Sequence, residues 1–198
     1  MKLFSTLVML TALLSGCTYT SKTDSLGLSP APIPRNSKTV TLIDNRAALP
    51  NQPIGWGQIT LNLDVREAFF DAAKTMLGDT FKQVKVSPAP ADTDYFAIAN
   101  YSIVTDGGPA KLVLDDSVKM EIFDTSTKKS VGIFDYKNTS EVQNWVGANL
   151  LAGATLCITC PILFPIELNS HGKTTEAAIT KDLRTGLMDI KSQIASKL

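Results

Sequence analysis

Three cysteines and a single histidine are the side chains best equipped for chemistry in this 198-residue chain. Cys157-Ile158-Thr159-Cys160 places two thiols three positions apart. Such a pair can close a disulfide, stay buried and free, cycle as a redox couple, or supply half of a zinc site. A disulfide needs Cα atoms within about 7 Å, so the segment has to turn rather than extend. A redox couple needs a helix beginning at the first cysteine to lower its pKa. Pro161 disfavours a helical backbone at Cys160. Zinc needs two further ligands, and His171 is the one histidine. A structural disulfide between Cys157 and Cys160 is expected, and a periplasmic thiol-disulfide activity is the remaining chemical alternative. His171, beside Gly172, reads as an exposed loop histidine, and no Gly-x-Ser-x-Gly elbow accompanies it. Asp92/Asp94 and Asp115/Asp116 lack a calcium-loop pattern and read as surface or turn carboxylates. The expectation is a non-enzyme, with no catalytic residue, no metal and no cofactor.

The third cysteine, Cys17, stands in a different setting. Lys2 is a short positive region, and Leu3–Leu14 is an apolar run of about a dozen residues, short of the about 20 that span a bilayer. Small Ser15 and Gly16 follow, then Cys17. Leu14-Ser15-Gly16-Cys17 resembles the lipobox of bacterial lipoproteins at all four positions. The resemblance implies cleavage between Gly16 and Cys17, diacylation of the Cys17 thiol and acylation of the new amine. More than one acyl chain gives durable attachment, at about 0.8 kcal/mol per buried CH₂. Thr18 replaces the aspartate that retains enteric lipoproteins at the inner membrane. The resemblance therefore implies an outer-membrane anchor, with the domain in the periplasm.

Elements that must carry these residues follow from periodicity. Residues 17–37 read as a lipidated N-terminus and a flexible Ser/Thr/Pro-rich tether; an extended arm on the domain surface is the alternative. Lys38–Arg46 alternates as a strand, with Val40 and Leu42 on one side. Ala47–Gln58 is a loop and Ile59–Leu63 a short strand. Asp64–Leu77 is a helix, with Asp64 and Glu67 in capping-box spacing and Val65, Phe69, Ala72 and Met76 on one stripe. Gln83–Val86 is short and β-prone. Tyr95–Val104 is apolar on both faces, as a central strand is. Lys111–Asp124 alternates, Asp124–Lys129 turns, and Val131–Tyr136 returns. Lys173–Leu198 is a second amphipathic helix, capped by Thr174 or Thr175, with Ile179, Leu183, Leu187, Ile190, Ile194 and Leu198 on its buried face. The order Asp44-Asn45-Arg46, then Ile54-Gly55, then a helix also resembles that of small Gram-negative outer-membrane lipoproteins. The expected fold is α+β and two-layer: a small, mostly antiparallel sheet with two amphipathic helices on one face. Residues 38–198 form its single domain.

Val142–Ile166 contains no charged residue. Gly147, Gly153, Pro161 and Pro165 interrupt it, and Asn144 and Asn149 are polar. Three readings stand: buried core, with a short helix over about Glu141–Leu156 and then an extended piece; a membrane-dipping or partner-docking segment; or a span in a ring of subunits. Trp145, Val146, Leu150 and Leu151 are the residues through which it would touch a membrane or partner.

Composition limits the rest. Lysine and arginine number 19, aspartate and glutamate 19, and aromatics are 7%. No basic stripe supports nucleic-acid binding. The expected function is a lipid-anchored binding or accessory factor of the cell envelope, with an envelope protein as partner. A membrane-inserting or pore-type subunit using residues 142–166 is the alternative.

Overall fold

The structure, a computed structural model, describes residues 17–28, 36–51, 53–56, 59–108, 111–143 and 160–198. Among them the order is β1 (Cys17–Lys22), β2 (Asn36–Ile43), a 3₁₀ turn at Arg46–Ala48, β3 (Ile54–Trp56), β4 (Ile59–Asp64) and α1 (Arg66–Gly78). There follow β5 (Phe81–Ser87), β6 (Tyr95–Gly108), β7 (Lys111–Asp124), β8 (Ser130–Gln143) and α2 (Cys160–Lys197).

The fold is α+β, but the expected mostly antiparallel sheet is not what forms. A five-stranded mixed sheet runs β5-β2-β6-β7-β8. β2 is parallel to both β5 and β6, and β6-β7 and β7-β8 are antiparallel. A second sheet runs β1-β4-β3, with β1 parallel to β4. The reason lies in the connections. The short turns after β6 and β7 permit only antiparallel return, whereas the chain between β2 and β5 holds two strands and α1, long enough for a parallel crossover. Alternation reveals a strand's faces but not its neighbours.

The long strands sort their side chains by phase. On β7, Leu112, Leu114, Val118, Met120 and Ile122 are buried, while Lys111, Asp115 and Lys119 are exposed. α2 covers β7 and β8 and packs against α1. Its Ile179, Leu183, Leu187, Ile190 and Ile194 are fully buried, as their spacing predicts. Each such side chain contributes about 1.5–3 kcal/mol of burial. The layer facing the large sheet is not helices alone. Ile54 of β3 and Leu63 of β4 line a cleft together with Tyr101 and Ile103 of β6 and Ile179 of α2.

Several boundaries move. β8 runs to Gln143, so Glu141 and Val142 end a strand rather than begin a helix, and Val142 is 4% exposed. α2 begins at Cys160, not Lys173. Pro161 then falls in the first turn, where its missing N–H costs no bond. Pro165 lies further in and removes one backbone hydrogen bond. Thr174 and Thr175 are therefore interior residues, not caps; the Thr174 hydroxyl donates to the Ser170 carbonyl at 3.0 Å. Leu198 falls just past the helix and is 39% exposed. The Asp64/Glu67 capping box does not form, because the helix starts one residue later, with Val65 at the N-cap, and Glu67 accepts from Arg46. Asp64 instead pairs with Arg66 and accepts its backbone N–H at 3.2 Å. No helix among the described residues is long and apolar enough to cross a membrane.

Candidate functional site

Cys17 is the first residue of β1 and pairs with Ile59 of β4. The pairing continues residue by residue to Lys22 and Asp64. The stretch expected as a tether thus begins as a strand. The Thr23 N–H donates to the Asp64 carbonyl at 3.0 Å, and Leu26 is 2% exposed. Residues 17–22 are a paired strand, and the chain beyond it reaches the core at Leu26.

Side chains lock this arm to α2. The Ser21 and Thr23 hydroxyls each donate to one carboxylate oxygen of Glu176, both at 2.8 Å. The Tyr19 ring lies so close to Gly172 that an added Cβ there would sit 2.5 Å from the ring. A carboxylate that accepts two hydroxyls at once fixes both rotamers, and a glycine lets the ring lie on the helix backbone. The arm is a positioned element, and it begins at Cys17, the residue expected to carry the lipid.

The Asp44-Asn45-Arg46 segment has a structural task. Arg46 donates to Asp44 at 2.6 Å and to Glu67 at 2.7 Å, and its guanidinium lies 4.9 Å from the centre of the Phe70 ring. These bonds hold the Asp44 carboxyl below its usual range, chiefly through the Arg46 hydrogen bond, and raise the Arg46 pKa. The Asn45 amide donates to the Ala99 carbonyl and the Asn100 side chain, both at 2.9 Å. β2 pairs with β6 over only Val40–Leu42, and Asn45 extends the attachment after the ladder ends. The segment pins β2, β6 and α1 together at one corner.

The acidic pairs divide in fate. Asp94 accepts from the backbone and hydroxyl of Thr39 at 2.8 and 2.9 Å, which lowers its pKa and ties the β5–β6 connection to β2. Asp116 is not the surface carboxylate that was expected. It is 2% exposed, in the apolar phase of β7, beneath α2. Asp182 of α2, 7% exposed, faces it and accepts from the Ser140 hydroxyl of β8 at 2.6 Å. Among the described residues no donor group reaches either Asp116 carboxyl oxygen, so a hydrogen bond to Asp182 forms only when one of the two carboxyls carries a proton. Burial pushes the Asp116 pKa up to about 7, and the neighbouring Asp182 charge adds to the shift. Two carboxyl groups in one apolar interface favour a shared proton over two charges. Sequence reasoning passed over this pair, although one signal was present: Asp116 interrupts the run Leu112, Leu114, Val118, Met120.

A cleft of about 200 Å³ opens between the two sheets, lined by Pro50, Pro53, Ile54, Leu63, Tyr101 and Ile179 among others. Its phenol is committed, because the Tyr101 hydroxyl donates to the Pro50 carbonyl at 2.6 Å. Burial raises the Tyr101 pKa to about 12, so it stays a neutral donor.

The other expected site residues fall as follows. Gly16, Trp145, Val146, Leu150, Leu151 and Cys157 lie outside the described residues. Cys160 starts α2, and His171 is in that helix rather than in a loop. Among the described residues no group of three or more His, Cys, Asp or Glu is gathered.

Fold and site define an α+β domain, built on a mixed five-stranded sheet, whose N-terminal arm is clamped from Cys17 onward. Among solved structures it is similar to protein XCC0632 of the DUF330 family from Xanthomonas campestris. The identity is 10% over 91% of this chain and 99% of that one, with a TM-score of 0.45. A minor lipoprotein from Acinetobacter baumannii matches at 15% identity over 80% and 93%, TM-score 0.41. Lipoprotein GNA1162 from Neisseria meningitidis matches at 14% over 63% and 97%, TM-score 0.34. No family model matches the chain, and no curated protein matches it. With likeness at this level, the functional reading rests on the chain's own residues.

Proposed function

We propose that this protein is a lipid-anchored lipoprotein of the Gram-negative outer membrane. Its periplasmic domain acts as a non-enzymatic binding or accessory factor for another envelope protein. The observation that carries the reading is the Leu14-Ser15-Gly16-Cys17 box placed immediately before β1. Cleavage before Cys17 makes the first residue of β1 the acylated one. Thr18 in place of aspartate supports the outer membrane over the inner.

The test is Cys17→Ala in cells. The native protein is expected to take up labelled palmitate and to fractionate with outer membranes. The variant is expected to lose the label and appear in the soluble periplasmic fraction. An unlabelled native protein would overturn the anchor. A variant that stays in the membrane fraction would assign attachment to residues 142–166 instead. Crosslinking in intact cells then identifies the partner.

A further inference from the structure

We propose that the bilayer carrying the Cys17 acyl chains is also a docking surface for one pole of this domain. The pole that holds the start of β1 and the N-terminal turns of α2 sits directly on the lipid. The proposal rests on acylation of Cys17 and adds to it a contact and an orientation.

The first observation is the absence of slack. Cys17 itself is paired with β4, and the next five residues are paired in register. Tyr19 is seated on Gly172, and Ser21 and Thr23 share Glu176. A tether of twenty flexible residues would let the domain drift by about 25 Å. A strand that starts at the acylated residue allows almost none.

The second observation is what lies beside Cys17. Contacts between arm and helix advance together along both: Tyr19 with Gly172, Ser21 and Thr23 with Glu176, and Gly27 with Arg184. β1 and α2 therefore run in the same direction. α2 begins at Cys160, twelve residues before Gly172, which is about 18 Å along a helix. Cys17 is two strand positions before Tyr19, about 7 Å. The backbone of α2 thus continues past the level of Cys17 by roughly 11 Å. The sequence at this helix start reads Cys-Pro-Ile-Leu-Phe-Pro-Ile, with no charge before Glu167. A helix start of this composition beside anchored acyl chains matches the lipid interface, where apolar residues bury 5–10 Å deep.

The remaining strands define the two poles. β8 runs antiparallel to α2, since Ser140 meets Asp182 while Asp135 meets Gln193. Gln143 and its β7 partner Lys111 therefore lie toward the Cys17 pole. The β7–β8 turn at Ser126 and the end of α2 at Ser196 lie toward the other. β7 is 14 residues long, so the poles stand about 45 Å apart.

The experiment uses the full lipidated protein, with Cys157 and Cys160 changed to serine, on vesicles of bacterial phospholipid carrying an acceptor dye. Single donor-labelled cysteines replace Thr20, Lys111, Ser126 or Ser196, all exposed. Energy transfer is expected to be at least several-fold stronger from Thr20 and Lys111 than from Ser126 and Ser196. Twenty Gly/Ser residues inserted between Cys17 and Thr18 should lower the Thr20 transfer and flatten the difference. Equal transfer from all four positions, unchanged by the insertion, would overturn the docking while leaving the anchor intact. Failure of the unlabelled native protein to stay with vesicles would instead overturn the anchor on which the proposal rests.

Discussion

Replacing Gly186 with leucine is expected to destabilise the domain by at least about 2–3 kcal/mol, read as a lower urea midpoint. Gly186 sits in the middle of α2, where glycine costs about 1 kcal/mol relative to alanine. Its presence is explained by what it touches. A Cβ added there would lie 2.7 Å from a methyl group of Val118 and 2.8 Å from the Tyr136 ring. Both belong to the sheet, on β7 and β8, and Val118 is buried. The helix can approach only because position 186 has no side chain. Leucine must push α2 outward and loosen the packing of Leu183, Leu187 and Ile190 together. The contrast is Gly78, at the end of α1, where a Cβ meets nothing within 4 Å. Gly78→Ala is expected to stabilise by about 0.4–1 kcal/mol, through the unfolded chain. If both substitutions shift the midpoint alike, close packing at Gly186 is not what holds α2 down.

The second large effect concerns Asp116 and depends on pH. Its folded pKa, about 7, lies above the ordinary value of 3.8. The folded state therefore binds the proton more tightly than the unfolded chain does. The stability this provides is complete below about pH 4 and is lost as pH rises through about 7. Asp116→Asn keeps the shape and removes the charge. It is expected to be more stable than the native protein at pH 8 by about 1–3 kcal/mol, the amide's own unmet hydrogen bonds offsetting part of the gain. At pH 5 the two should lie close together. Urea unfolding at both pH values reads this directly, and equal differences at pH 5 and pH 8 would refute it. Ser140→Ala is the companion test. It removes the hydroxyl donated to Asp182 at 2.6 Å and should lower stability by about 1–3 kcal/mol, read as a lower urea midpoint.

These two positions show what periodicity can and cannot reveal. The stripe Ile179, Leu183, Leu187, Ile190 and Ile194 was readable because a helix buries every third or fourth residue whatever lies opposite. The alternation in Lys111–Asp124 was readable for the same kind of reason, since a strand alternates whichever strand it pairs with. Gly186 and Asp116 lie inside those patterns, and their meaning depends on the partner surface. The glycine is explained by Val118, 68 positions away, and the carboxyl by a helix that begins beyond Gln143. Neither distance is visible to a local window. Helix starts failed similarly. Thr174 and Thr175 have the chemistry of caps, but the helix continued past them to Cys160.

The sequence by itself determined the candidate anchor residue, both amphipathic helix faces, the central position of Tyr95–Val104 and the α+β class. All of these follow from residue type and short-range spacing, which constrain the backbone locally. Only the tertiary structure decided that β2 joins the large sheet in parallel, because parallel pairing is set by the path of the crossover. Only it decided that Asp116 is buried, because burial belongs to the surface that closes over a residue. It also decided that Cys17 opens a clamped strand and not a loose tether. The hydroxyls of Ser21 and Thr23 find Glu176, and Tyr19 finds Gly172, over 150 residues along the chain. Once the ends are brought together, those contacts outweigh the local preference of a Ser/Thr-rich segment to remain extended and free.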